Sequence, residues 1–71
     1  MLLKKSFSIA GHRTSVALEA EFWTVLEQAA QRRGETLTAF VISVDAQRAD
    51  ERPLASALRV RALKEAAAGD H

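Results

Sequence analysis

The chain has 71 residues, no Cys, two His and a formal net charge of +1. That length allows a single domain with a marginal core of its own. The absence of Cys excludes disulfides and thiolate metal sites, and His12 and His71 lack metal-ligand spacing, so no metal and no other cofactor is expected. A small chain without such staples often completes its core with another subunit. The start, Met1-Leu2-Leu3-Lys4-Lys5, lacks the apolar run of roughly 7–15 residues that a signal peptide carries after its charges. No segment approaches the ~20 apolar residues of a membrane span. The expectation is a cytoplasmic protein with no membrane partner. Charge is unevenly placed: residues 1–18 hold Lys4, Lys5 and Arg13 with no acid, and residues 19–71 hold seven Lys/Arg against nine Asp/Glu. A basic end on an acidic body sets a local positive field against phosphate, although a solvated tail would read the same way.

In chain order, Phe7 and Ile9 alternate with small polar residues as in a strand, and Thr14, Val16 and Leu18 alternate too. The first pair is odd in number and the second set even, so one flat strand would place them on opposite faces. Ala10-Gly11 lies at the slip, and Gly within a strand pattern marks a bulge or bend. The reading is a core strand over 12–18, preceded over 1–11 by a basic arm or a short extra strand.

Residues 20–33 are predicted to form the first helix. Phe22, Trp23, Val25, Leu26, Ala29 and Ala30 fall in one arc, with Thr24, Glu27, Gln28, Gln31 and Arg32 opposite. Gly34 stands where a left-handed residue would end it. A second helix over 36–48 is expected to start at Thr36, whose hydroxyl can cap a free N–H. Leu37, Phe40, Val41 and Val44 share one face and Ile42 points well away, so this helix needs two packing surfaces. Ala49-Asp50-Glu51-Arg52-Pro53 breaks the pattern, and Pro53 suits the first turn of a third helix over 53–67. There Leu54, Leu58 and Ala62 line one side and Val60, Leu63 and Ala67 another, and Arg61 and Glu65 can pair at i, i+4. Gly69-Asp70-His71 is expected to fray.

A lone strand cannot satisfy its own backbone hydrogen bonds, and the simplest remedy is the same strand of a second copy, related by a two-fold axis. The fold expected is therefore mainly α with one β-strand, an intertwined homodimer with a two-stranded antiparallel ribbon. Such a ribbon fits the major groove of DNA.

His12-Arg13-Thr14-Ser15-Val16-Ala17-Leu18, an amphipathic helix, and Arg33-Gly34-Glu35-Thr36-Leu37-Thr38-Ala39 opening a second helix resemble the Arc/MetJ-like ribbon-helix-helix DNA-binding family over about residues 12–48. The chain also resembles a bacterial subgroup with Ile9-Ala10-Gly11-His12-Arg13-Thr14-Ser15 before the helix and Leu54-Ala55-Ser56-Ala57-Leu58-Arg59 near the end, over most of its length. The resemblance implies that Arg13, Ser15 and Ala17 read bases, Arg13 by bidentate donation to guanine. Ala17 departs from the polar residue commoner there, which weakens sequence specificity. It implies phosphate contacts from Lys4, Lys5, His12, Thr36, Leu37 and Thr38, the last three at a helix N-terminus suited to anions. It implies a dimer core of Thr14, Val16, Leu18, Phe22, Trp23, Leu26, Leu37, Val41 and Ile42.

No Ser–His–carboxylate array, phosphate loop or metal cluster appears, so no enzyme is expected. Two functions remain. One is a transcriptional regulator that binds double-stranded DNA, with two or more dimers on repeated half-sites. The other is a dimeric protein-interaction module, antitoxin-like, whose second and third helices hold a partner.

Overall fold

Two runs of alternating residues meet at a turn that only positive backbone angles can make. In the computed structural model, which describes residues 1–69, Ala10 has φ 51° and Gly11 φ 81°. Positive φ at both central residues is the requirement of the two-residue type I′ hairpin. The turn joins strand β1 (Leu2–Ile9) to strand β2 (His12–Glu19). They pair antiparallel, with Leu3 opposite Leu18, Lys5 opposite Val16 and Phe7 opposite Thr14.

This corrects two expectations. The chain has two strands where one was expected, and the second copy is not needed to pair β2: residues 2–9, read as an arm or a short extra strand, form the strand that pairs with it. The clash between odd and even positions vanishes because a two-residue turn sets odd residues of β1 against even residues of β2. Phe7, Ile9, Val16 and Leu18 therefore share one face, and all four are buried. The hydrogen-bonding need that pointed to a second copy is met on one edge of β2 by the chain itself.

Three helices follow: α1 (Ala20–Arg32), α2 (Leu37–Gln47) and α3 (Leu54–Gly69). At the end of α1, the Glu35 amide donates to Ala30 O and the Gly34 amide to Gln31 O. Gly34 has φ 68°, which completes the Schellman arrangement that stops the helix. Thr36 Oγ1 then accepts from the Ala39 amide at 3.1 Å and caps α2. Pro53 immediately precedes α3, and its carbonyl accepts from the Ala57 amide. Gly69 is helical, while Asp70 and His71, expected to fray, lie outside the described residues.

The core lies between the inner face of the hairpin and the helices. Leu18, Trp23, Leu26, Phe40, Val41 and Leu58 are its largest fully buried side chains. Each such burial contributes roughly 1.5–3 kcal/mol. Trp23 joins α1 to the sheet twice: its ring packs on Phe7 at 5.9 Å, and its Nε1 donates to Leu3 O at 2.8 Å. The α3 residues Leu58 and Ala62 close the core, while Val60 and Leu63 stay exposed.

The helices are also clasped by charge. The Glu65 carboxylate accepts from Arg33 at 2.8 Å and Arg61 at 2.9 Å, with Arg32 at 3.5 Å. Arg33 and Arg61 in turn flank the Phe40 ring at 5.0 and 5.1 Å. The Arg61–Glu65 pair is visible in the sequence, but the two arginines from the end of α1 are not.

Candidate nucleic-acid interface

Side chains alternate across a strand, so the face of the hairpin away from the core is fixed by the pairing. It presents Lys4 opposite Ala17, Ser6 opposite Ser15, and Ser8 opposite Arg13. All but Ala17, which is half-buried, are exposed. The rungs of Lys4 and Arg13 are four residues apart, about 14 Å at ~3.4 Å per residue. Between them the Ser6 and Ser15 hydroxyls are hydrogen-bonded at 3.0 Å. Each hydroxyl has one donor and two acceptor sites, so the pair still offers hydrogen bonds outward.

The acid on this face is Glu19, at the far end of β2, and Arg59 of α3 neutralises it. Arg59 Nε and Nη2 donate to Glu19 Oε1 at 3.1 and 3.0 Å. Its own backbone amide and then Arg59 hold the Glu19 carboxyl below the ordinary carboxylate range. The field in front of Lys4 and Arg13 is therefore not cancelled by an unpaired carboxylate at their edge.

The structure separates residues that the sequence grouped together. Lys5 points to the core side of β1, where it lies 3.8 Å from Glu27 and 5.7 Å from the centre of the Trp23 ring. It does not share a face with Lys4, because neighbours along a strand cannot. His12 is exposed beside the turn, opposite Ile9. Ser6 and Ser8 join Arg13 and Ser15 on the outward face. They escape a reading that treats residues 1–11 as an arm, and only the hairpin parity reveals them.

At the start of α2, Thr36 and Thr38 are exposed and Leu37 is half-buried against the core. The Thr36 cap satisfies the Ala39 amide, which leaves the earlier amides of the first turn without intrahelical acceptors. No acid stands in that turn. Of the residues assigned to a dimer core, Val16, Leu18, Trp23, Leu26 and Val41 are buried within one chain. Thr14, Phe22 and Leu37 are half-buried, and Ile42 is 41% exposed.

A cationic two-stranded ribbon backed by helices is the layout of the β-ribbon readers of DNA. A sequence model described as the ribbon-helix-helix domain matches residues 2–66, and the chain belongs to that family. The match spans β1 and most of α3 as well as the strand and helices between them. Domains of this family are generally DNA-binding regulators and typically act as dimers. No curated protein and no solved structure matches the chain significantly. No helix among the described residues is long and apolar enough to cross a membrane.

Proposed function

We propose that the protein is a regulator that binds double-stranded DNA through the outward face of its hairpin. The observation that carries this reading is the placement of Lys4 and Arg13 on one exposed face, with serines between them and the acid of that face, Glu19, already paired.

The free edge of β2 supports a dimer. Backbone groups alternate in direction along a strand, so half of those on β2 point away from β1. Pairing with β2 of a second copy gives a four-stranded sheet in the order β1-β2-β2-β1. Such a sheet is about 14 Å wide at ~4.8 Å per strand. The major groove is about 12 Å wide, so the central pair of strands enters deepest. Arg13, Ser15 and Ala17 then meet base edges, with Arg13 donating to guanine O6 and N7. Lys4, one strand further out, meets the phosphates at the groove's rim. The exposed start of α2, with Thr36, Leu37 and Thr38, takes a phosphate on its free amides. Lys5 drops out of the contact set and serves the fold. Ala17 offers at most apolar contact to a thymine methyl, so specificity rests mainly on Arg13.

The test is selection of bound duplexes from a random pool at two salt concentrations. Enrichment of a two-fold symmetric site, with guanine at the positions lost in Arg13→Ala, is expected. Salt-independent recovery of unenriched sequence would sink the reading.

A further inference from the structure

A second cationic surface lies away from the ribbon. A cleft of about 230 Å³ opens between the end of α2, the 48–53 connection and α3. Its floor is apolar: Val44 and Ala57, exposed only 4% and 8%, and the half-exposed Val60. Its rim carries Arg48, Arg52, Arg61 and Lys64, and among the described residues no acidic side chain lines it.

The four cations are not equivalent. Arg48 is spent on the connection, donating to Asp45 Oδ1 at 2.7 Å and to Arg52 O at 2.9 Å. Arg61 is held by Glu65 and Gln47. Arg52 makes only a long contact of 3.4 Å to Ser56 Oγ. Among the described residues, neither Arg52 nor Lys64 makes an ion pair. Two cations without an ion pair among the described residues therefore border an apolar floor.

The apolar surface continues beyond the cleft. With 3.6 residues per turn, Ala57, Val60, Arg61 and Lys64 share one side of α3. Ala67 and Leu63 extend it, with Leu63 70% exposed. Arg59, which grips Glu19 beside the ribbon, projects opposite Ala57 and Arg61, and Leu63, at i+4 from Arg59, lies at the edge between the two sides. None of the residues proposed to meet DNA lines this cleft.

We propose that this surface docks an acidic, amphipathic peptide segment of a partner protein. Its carboxylates would pair with Arg52 and Lys64, and its apolar side chains would cover Val60 and Leu63. The cleft is smaller than the ~300–1,000 Å³ typical of small-molecule sites. A phosphate backbone brings nothing apolar to place on Val60 and Leu63, whereas a helix or strand with Leu and Glu on one face matches both features.

The test uses the full chain, labelled for amide shift mapping, and a fluorescent synthetic peptide with Glu and Leu at helical spacing. Controls are the same peptide with Ser for Leu, the same with Lys for Glu, a random-sequence duplex and inorganic phosphate. The parent peptide is expected to shift Arg52, Val60, Leu63 and Lys64 and to leave β1 and β2 unmoved. Arg52→Glu/Lys64→Glu and Leu63→Ser should each weaken it about tenfold or more, as for removal of complementary charge and packing at an interface. Arg13→Ala should not change it, so this site and DNA binding fail independently. Arg52→Gln/Lys64→Gln guards against misfolding, with the same sign expected and helicity retained. Equal affinity for the Ser peptide would reduce the surface to an unspecific anion site and overturn the proposal. Shifts at Arg52 and Lys64 with the duplex alone would reassign it to DNA.

Discussion

At Ala10 a residue with a Cβ occupies φ 51°, a left-handed conformation that costs an L-residue about 1–2 kcal/mol. Asn tolerates that region, and Asn-Gly is the preferred type I′ pair. Ala10→Asn should therefore raise the melting temperature by a few degrees, since about 1 kcal/mol is worth ~4–8 °C in a domain of this size. A Cβ on Gly11 would meet nothing within 4 Å, so Gly11→Ala tests the backbone angle alone and should lower stability by about 1 kcal/mol. If neither change moves the melting temperature, the hairpin turn is not as described. Glu65 offers a second residue-level test. Hydrogen bonds from Arg61 and then Arg33 hold its carboxyl below the ordinary value of 4.5. A depressed folded-state pKa means that the stabilisation is present above the unfolded value and disappears as pH falls through the folded one. Acid titration of the melting temperature should therefore show a loss below about pH 4.5. Glu65→Gln should flatten that loss and lower stability at neutral pH. An unchanged acid limb in Glu65→Gln would remove the clasp from the account.

Among the elements, α3 decides whether the core closes. Leu58 and Ala62 are at 0% and 1% exposure, and Phe40 and Val44 of α2 at 1% and 4%. Truncation after Arg52 removes α3, uncovers Phe40 and Val44 and leaves Glu19 without Arg59. Losing even one buried Leu costs roughly 2–5 kcal/mol, against a total stability of ~5–15 kcal/mol for a whole domain. The truncated chain should lose its cooperative thermal transition by circular dichroism. A transition at the full-length temperature would show that α3 does not pack on the body. The helices were legible in the sequence because their signals are local. The arc of Trp23, Leu26 and Ala30, the stop at Gly34 and the cap at Thr36 each occupy a few consecutive residues. The pairing of β1 was not, because parity across a turn depends on the turn's length. Ala-Gly is a weaker turn signal than Asn-Gly. The same gap put Lys5 beside Lys4 and left Ser6 and Ser8 unread. Contacts between distant elements, such as Arg59 with Glu19 and Arg33 with Glu65, have no sequence periodicity to announce them.

For the molecule as a whole, the closed core changes what dimerisation means. Val16, Leu18, Trp23 and Leu26 are buried within one chain, so each chain is expected to keep its core when the dimer separates. Sedimentation at micromolar concentration is expected to give twice the chain mass through the β2 edges, and dilution should dissociate the dimer with its helical circular dichroism intact. Val16→Asp should unfold the chain itself, because it buries a carboxylate without a partner. The DNA prediction then separates three cations that composition treats alike. Each lost phosphate contact lowers the slope of log K against log salt by about 0.9. Lys4→Ala removes an outward lysine from both copies and should flatten the slope for all sequences equally. Lys5→Ala removes a side chain held by Glu27 and Trp23, so it should shift the melting temperature slightly and leave the slope alone. Arg13→Ala should erase preference at its base, worth roughly 1–3 kcal/mol for a bidentate pair, with the fold intact because Arg13 is exposed. The three outcomes depend on one geometric fact, the parity of the hairpin. If Lys5→Ala flattened the slope as Lys4→Ala does, the two lysines would face the same duplex. The pairing of Lys5 with Val16 would then not persist on DNA, and recognition would belong to a rearranged ribbon.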